Sequence, residues 1–317
     1  MYLQKSKIMK INFLITMSCA IACIANAQIT TDEQAYGLQM QKEGNSLQNI
    51  PVRKEVKIVT DEHKARIVAE DLVSDTMLGP IRYAFSVPTY YNLENSGAWQ
   101  ALSDGSKLWR LKVEMPGALS TNAYYDKFWL PDSAKFFVYS EETGQCIGAI
   151  TSEYIGGSRE KPIEFATALV YGENVVFEYY QPAHVKTPAV ISISRIDYGY
   201  RHVDNPYAAK LRSFGDAASC NVNINCTQGA GWQTEKHAIV RMHYPQGDST
   251  FWGSDALVNN TNNDYKPYVL TVNHNLGGLS AGTNNNASQW VFYWEYEHPG
   301  CANSATAPPD RTTVGAP

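Results

Sequence analysis

His274 is the residue in this 317-residue chain whose setting most directly suggests chemistry. It follows a short apolar run, Tyr268-Val269-Leu270-Thr271-Val272, inside the stretch Asn259 to Asn275, NNTNNDYKPYVLTVNHN. A strand that ends in a polar turn sets an imidazole at the tip of a rigid element. There it can take a proton from a nucleophile and return it to a leaving group near neutral pH. A histidine after an apolar run is also a common structural residue. The other histidines suggest no metal centre: His237 and His243 are badly spaced for one helical face, and neither HExxH nor CxxC occurs. His298 stands near Glu295 and Glu297, an alternation that reads as a solvated strand face. No phosphate-binding glycine loop is present, and no cofactor is implied.

The elements that must position this histidine are strands. Ala256-Leu257-Val258 precedes Asn259-Asn260, a turn signal between two strands. Upstream, strands are expected at 81–87, 106–114, 134–140, 145–151, 174–180 and 190–196. Lys107-Leu108-Trp109-Arg110-Leu111-Lys112-Val113 alternates apolar and polar residues, as a sheet with one wet face requires. Ser103-Asp104-Gly105, Glu141 to Gly144 and Tyr171 to Asn174 supply turns between them. Short regular strands with almost no helical periodicity predict an all-β fold that begins with a β-sandwich.

Three separated segments carry a resemblance: Ser219 to Met242 (SCNVNINCTQGAGWQTEKHAIVRM), Ala256 to His274 (ALVNNTNNDYKPYVLTVNH) and Trp290 to Cys301 (WVFYWEYEHPGC). In this order they resemble the trypsin-like serine endopeptidases of the bacterial lysyl endopeptidase-like group. The resemblance implies a chymotrypsin-like double β-barrel of which 220–317 is the first part, with His274 as general base of a Ser-His-Asp triad. It implies a polypeptide substrate and pairs Cys226 with Cys301, a bridge worth about 4 kcal/mol on the loop-entropy model. It also makes 65–202, through Gly97 to Trp99, Gly105 to Leu111 and Ala134 to Tyr139, a sandwich pro-domain. The rival reading of that region is a protein- or glycan-binding module, since Tyr and Trp are plentiful.

The sequence departs from the family pattern in several places. After His274 the next aspartate is Asp310, in a Pro-Pro-Asp-Arg loop, and Ser280, Ser288 and Ser304 lack the glycine-rich setting of a nucleophile beside oxyanion-hole amides. Two triad members are missing, so the chain as written is expected to be inactive. The family's cysteine after the histidine and its partner become Asn275 and Gly253, and Asp255 replaces a small residue beside the histidine's strand. Cys220 is expected to be unpaired. A secreted, non-catalytic homologue is the alternative.

Residues 1–27 read as a secretory signal peptide: Lys5, Lys7 and Lys10, an apolar core from Ile11 to Ile24, and Ala25-Asn26-Ala27. The core is too short for a membrane span, and Cys23 sits in a poor lipobox. Export to the outside, the cell surface or the periplasm makes the four remaining cysteines disulfide formers first. The formal charge of −5 becomes −8 once the three leader lysines are gone, which argues against nucleic acid as a partner. Residues 28–64 read as a polar, poorly ordered leader and 203–219 as a linker. Within the linker, Lys210 and Arg212 either mark a processing point or simply solvate it.

Overall fold

The computed structural model describes residues 33–42, 52–74, 80–201, 220–276, 287–303, 308 and 311–315. The expected signal peptide and linker lie outside these residues. The chain is built of strands in two sheets. The first sheet has the order β1 (Arg53–Val56), β4 (Lys107–Glu114), β10 (Asn174–Gln181), β6 (Lys135–Tyr139), β7 (Cys146–Ile150), with β3 (Ala98–Ala101) also on β4. The second sheet contains β2 (Arg82–Asn92), β5 (Ser120–Trp129), β8 (Ile163–Ala166), β9 (Val170–Tyr171) and β11 (Val190–Gly199). It continues through β12 (Ile239–Gln246), β13 (Ser249–Val258), β14 (Tyr268–Leu270), β15 (Val291–Trp294) and β16 (Thr312–Val314).

The two sheets face each other across one core. Leu111, Val113, Phe136 and Phe177 come from the first sheet, and Phe85, Tyr124, Phe128 and Ile193 from the second. This is the sandwich that the alternating strands predict. The expected strand at 174–180 is β10, and Val175, Phe177 and Tyr179 on it are buried in that core. Ser120–Trp129 is a strand beyond those expected, and it opens on the polar run Ser120-Thr121-Asn122. All three polar residues are buried within the sheet.

The described parts of the expected leader, 33–42 and 52–64, contain regular elements. Helix α1 (Tyr36–Lys42) turns its first backbone amides onto a buried carboxylate: Tyr36 N donates to Glu178 Oε1 at 2.6 Å and Gly37 N to Glu178 Oε2 at 3.0 Å. Strand β1 carries Arg53, Lys54 and Glu55 yet pairs in parallel with β4, at the edge of the sheet, where charge is tolerated. Helix α2 (Asp61–Ser74) is capped by Thr60, whose hydroxyl accepts from His63 N at 3.2 Å, with Asp61 and Glu62 in its first turn. It buries little besides Ile67 and Asp71, so its helical period is faint in the sequence. Asp71 ties the helix down through Arg82 at 2.8 Å and Arg201 at 3.1 Å.

The region after residue 219 is not a separate sheet. Strand β13 pairs with β2, Ser249 opposite Phe85 and Thr250 opposite Ala84, so hydrogen bonding runs unbroken from β8 to β16. Behind this seam Asp197 is fully buried and accepts hydrogen bonds from Ser86 Oγ at 2.6 Å, Tyr124 at 3.2 Å and Thr250. Burial pushes its carboxyl up from the usual range, against the hydroxyls of Ser86 and Thr250. Val291 and Tyr293 on β15 belong to the sandwich core itself. A cut confined to 202–219 is therefore expected to leave both fragments associated. They should co-elute on gel filtration and separate in denaturant; fragments that elute apart under native conditions would contradict the shared sheet.

Candidate functional site

Strand β13 leads to the histidine. It pairs on one side with β12, Ala256 opposite Ile239, and on the other with β14, Ala256 opposite Leu270. The chain leaves β14 through Thr271 and Val272 and enters a single 3-10 turn, Asn273–Leu276, which carries His274 exposed. The strand is shorter than the five residues its apolar run suggests, and His274 follows it exposed. Asn275, next to it, is buried; its N donates to Val272 O at 3.1 Å and its Nδ2 to Thr271 Oγ1 at 2.9 Å. These bonds close the turn on itself. Around it Tyr265, Tyr268, Leu270, Val272 and Leu276 are all exposed.

The two positions where the family pattern has cysteines face each other. A Cβ built on Gly253 would stand 3.0 Å from Asn275 Nδ2, so the side chain of Asn275 lies over the glycine. Gly253 has no left-handed backbone conformation that a side chain would strain. The cysteine pair Cys226–Cys301 is formed, with Cα atoms 4.3 Å apart across a sequence separation of 75. Asn225 beside it donates to His298 O at 2.5 Å, and Asn223 Nδ2 to Cys301 O at 2.7 Å, so the bridge sits in a hydrogen-bonded corner. Cys220 is free and exposed, and Cys146 is free and half-buried, with burial pushing its thiol up to about 11. Lys210 and Arg212 lie outside the described residues.

On β12, opposite Trp252, His243 is fully buried, an environment that its place in the sequence does not announce. The hydroxyls of Tyr83 and Tyr293 face its Nδ1 at 3.2 and 3.4 Å, and Trp252 packs at 5.6 Å. Burial, and then the charge of Arg241, push it down to about 3, so it is neutral at ordinary pH. Arg241 lies flat on Trp252 at 3.5 Å and near Tyr296 at 4.5 Å, lining a cavity of about 1080 Å³ with Ile81, Trp232 and Ile239. That cavity sits at the seam, and His274 does not line it. The acids flanking His298 are engaged: Glu297 pairs with Lys236 at 2.6 Å, and Glu295 pairs with Arg311 and hydrogen-bonds with His237 Nδ1 at 2.8 Å.

Asp255 completes the surroundings of the turn. It is buried on β13 opposite Val240, and burial pushes its carboxyl up, against the Thr271 hydroxyl and the charge of His274. Register supplies this proximity: with Ala256 opposite Leu270, residue 255 falls beside residue 271. The sequence marks Asp255 only as an acid in place of a small residue.

Residues 214–316, about a third of the chain, match the family described as lysyl endopeptidase, C-terminal domain. The match supports a relationship to lysyl endopeptidase-like proteases. It covers β12 to β16, the disulfide and His274.

Two measurements check this geometry. The double variant Gly253→Cys/Asn275→Cys is expected to form a disulfide spontaneously in air-oxidised buffer. It closes a loop of roughly twenty residues and should stabilise by about 3 kcal/mol on the loop-entropy model; two titratable new thiols would show the facing positions to be wrong. His243 binds a proton in the unfolded chain near pH 6.5 but in the folded one only near 3. Its contribution to stability is complete above pH 6.5 and is lost as pH falls toward 3. Replacing it by Gln should flatten the fall in Tm between pH 7 and pH 4; an unchanged slope would show that His243 is already charged in the fold.

Proposed function

We propose that the chain is the N-terminal portion of a secreted serine endopeptidase precursor of the lysyl endopeptidase-like kind. On this reading 1–27 is the signal peptide, 65–202 the pro-domain, 203–219 a segment cut at Lys210 or Arg212, and 220–317 the first part of the protease domain. The observation that carries the reading is the family match over 214–316, with His274 exposed at the end of β14. His274 is the general base. It takes the proton of a serine hydroxyl as that oxygen attacks a peptide carbonyl and passes it to the leaving amine. The reaction also needs an aspartate to orient this histidine and a serine as nucleophile. The exposed apolar side chains of Tyr268, Leu270 and Val272 suit a face that packs against further protein. Among the described residues no helix is long and apolar enough to cross a membrane.

A second reading, a secreted non-catalytic relative that binds a protein or glycan, draws on the unbridged contact of Gly253 with Asn275 and on the buried acid at 255. Expression of the reading frame continued past codon 317 separates the two. Cleavage after lysine that falls on the order of 10⁴-fold or more in His274→Ala is expected for the precursor. A frame that ends there, or cleavage indifferent to His274, overturns it.

A further inference from the structure

Side chains alternate between the two faces of a strand, and one face of the first sheet fills the sandwich core through Leu111, Val113 and Phe177. The alternation leaves the other face to water, yet it holds Glu178, Arg110 and Tyr139 with exposures of 0, 1 and 0 %. Arg110 Nε lies 3.4 Å from Glu178 Oε2, and its Nη2 donates to the Tyr139 hydroxyl at 2.9 Å. That hydroxyl in turn donates to Glu178 Oε2 at 3.1 Å. The segment 33–42 covers this cluster, with Gly37 lying 141 positions from Glu178 along the chain. A seven-residue helix is too short to be stable alone, so its order comes from the face on which it lies.

The contacts have the form of peptide recognition. Glu178 accepts from two successive main-chain amides, Tyr36 at 2.6 Å and Gly37 at 3.0 Å, and so reads backbone rather than side chain. Gly37 stands within a helix, where glycine is disfavoured. A Cβ built on it would lie 2.2 Å from the Tyr139 hydroxyl, 2.8 Å from Arg110 Nη2 and 3.0 Å from Glu178 Oε2. Those three groups hold one another, so none yields without breaking a buried contact. On either side of the glycine, Ala35 and Leu38 are buried with Phe137, Ala149 and Val176, and Lys135 pairs with Glu33 at the rim. Main-chain bonds give affinity in such a site, and side-chain pockets give specificity. We propose that this face of the first sheet is a peptide-binding site for an Ala-x-Gly-Leu segment, and that residues 33–42 are its ligand in cis. A second polypeptide with that pattern must displace 33–42 to bind. The site is independent of His274 and of the protease reading.

The test uses the full chain and a fluorescent peptide with the sequence of residues 33–42. Gly37→Val in the chain should expel its own segment and open the face. Cys146, half-buried and packed on the same cluster as Ala35 and Leu38, then reports the release. Its labelling by a maleimide, read at that residue by mass spectrometry, should be roughly tenfold faster than in the unaltered chain. The peptide should bind the variant one to one and restore the protection, whereas the Gly37→Ala peptide should do neither. The unaltered chain, whose site is filled by a tethered competitor, should bind the peptide about tenfold more weakly or worse. A variant that binds no peptide, or that binds the Gly37→Ala peptide equally, overturns the proposal. If Gly37→Val does not fold, Leu38→Ala is the second variant, since it keeps both amide contacts and empties only the leucine pocket. The peptide should displace its weakened segment, and no binding overturns the proposal. Failure of both variants to fold shows 33–42 to be an integral part of the sandwich and overturns it equally.

Discussion

A buried carboxylate at the middle of the large sheet governs how the two halves of the chain relate. Asp197 on β11 reaches Ser86 and Tyr124 from the sandwich and Thr250 from β13, so its hydrogen bonds cross the line where residues 80–201 meet residues 220–315. Satisfying this acid requires β13 to lie against β2 in one register, because a slip of one residue turns Thr250 to the opposite face. The seam is reinforced outward from there. Tyr293 accepts from the backbone of Leu169, Gln289 reaches Tyr125, and Trp252 stacks on Tyr83. The histidine's strand pair hangs from β13, and its position in space is inherited from this junction.

Much of the sandwich is legible in the residue order, for a definite reason. Strands such as Lys107–Glu114 and Asn174–Gln181 lie inside a sheet that pairs on both sides, and their apolar residues fill the core. The elements that escape are those stabilised by polar contacts distant in sequence. Helix α1 depends on Glu178, some 140 residues away, and β1 on an edge of β4. Neither carries a local signal strong enough to be seen. The seam escapes for the same reason, since no periodicity announces that Ser249 will lie opposite Phe85.

The candidate site divides in the same way. His274 is visible because an apolar run followed by a polar turn is a local pattern. Asp255 and His243 gain their character only from what the fold packs around them: the turn at 271–275 over one, and Tyr83, Trp252 and Tyr293 around the other. Chemical type can be read from a string of residues. Desolvation cannot, because it is a property of neighbours.

The bond between Cys226 and Cys301 has a topological effect apart from any stabilisation. Strands β12 to β15 and the histidine turn all lie within the covalent ring that it closes. Lys236 and Arg241 lie on that ring, as does Lys266, which is largely exposed but is followed by Pro267. A single scission of any peptide bond in the ring opens it without releasing a piece. In surroundings where proteases cut after basic residues, this half of the protein accepts one nick and remains a single molecule.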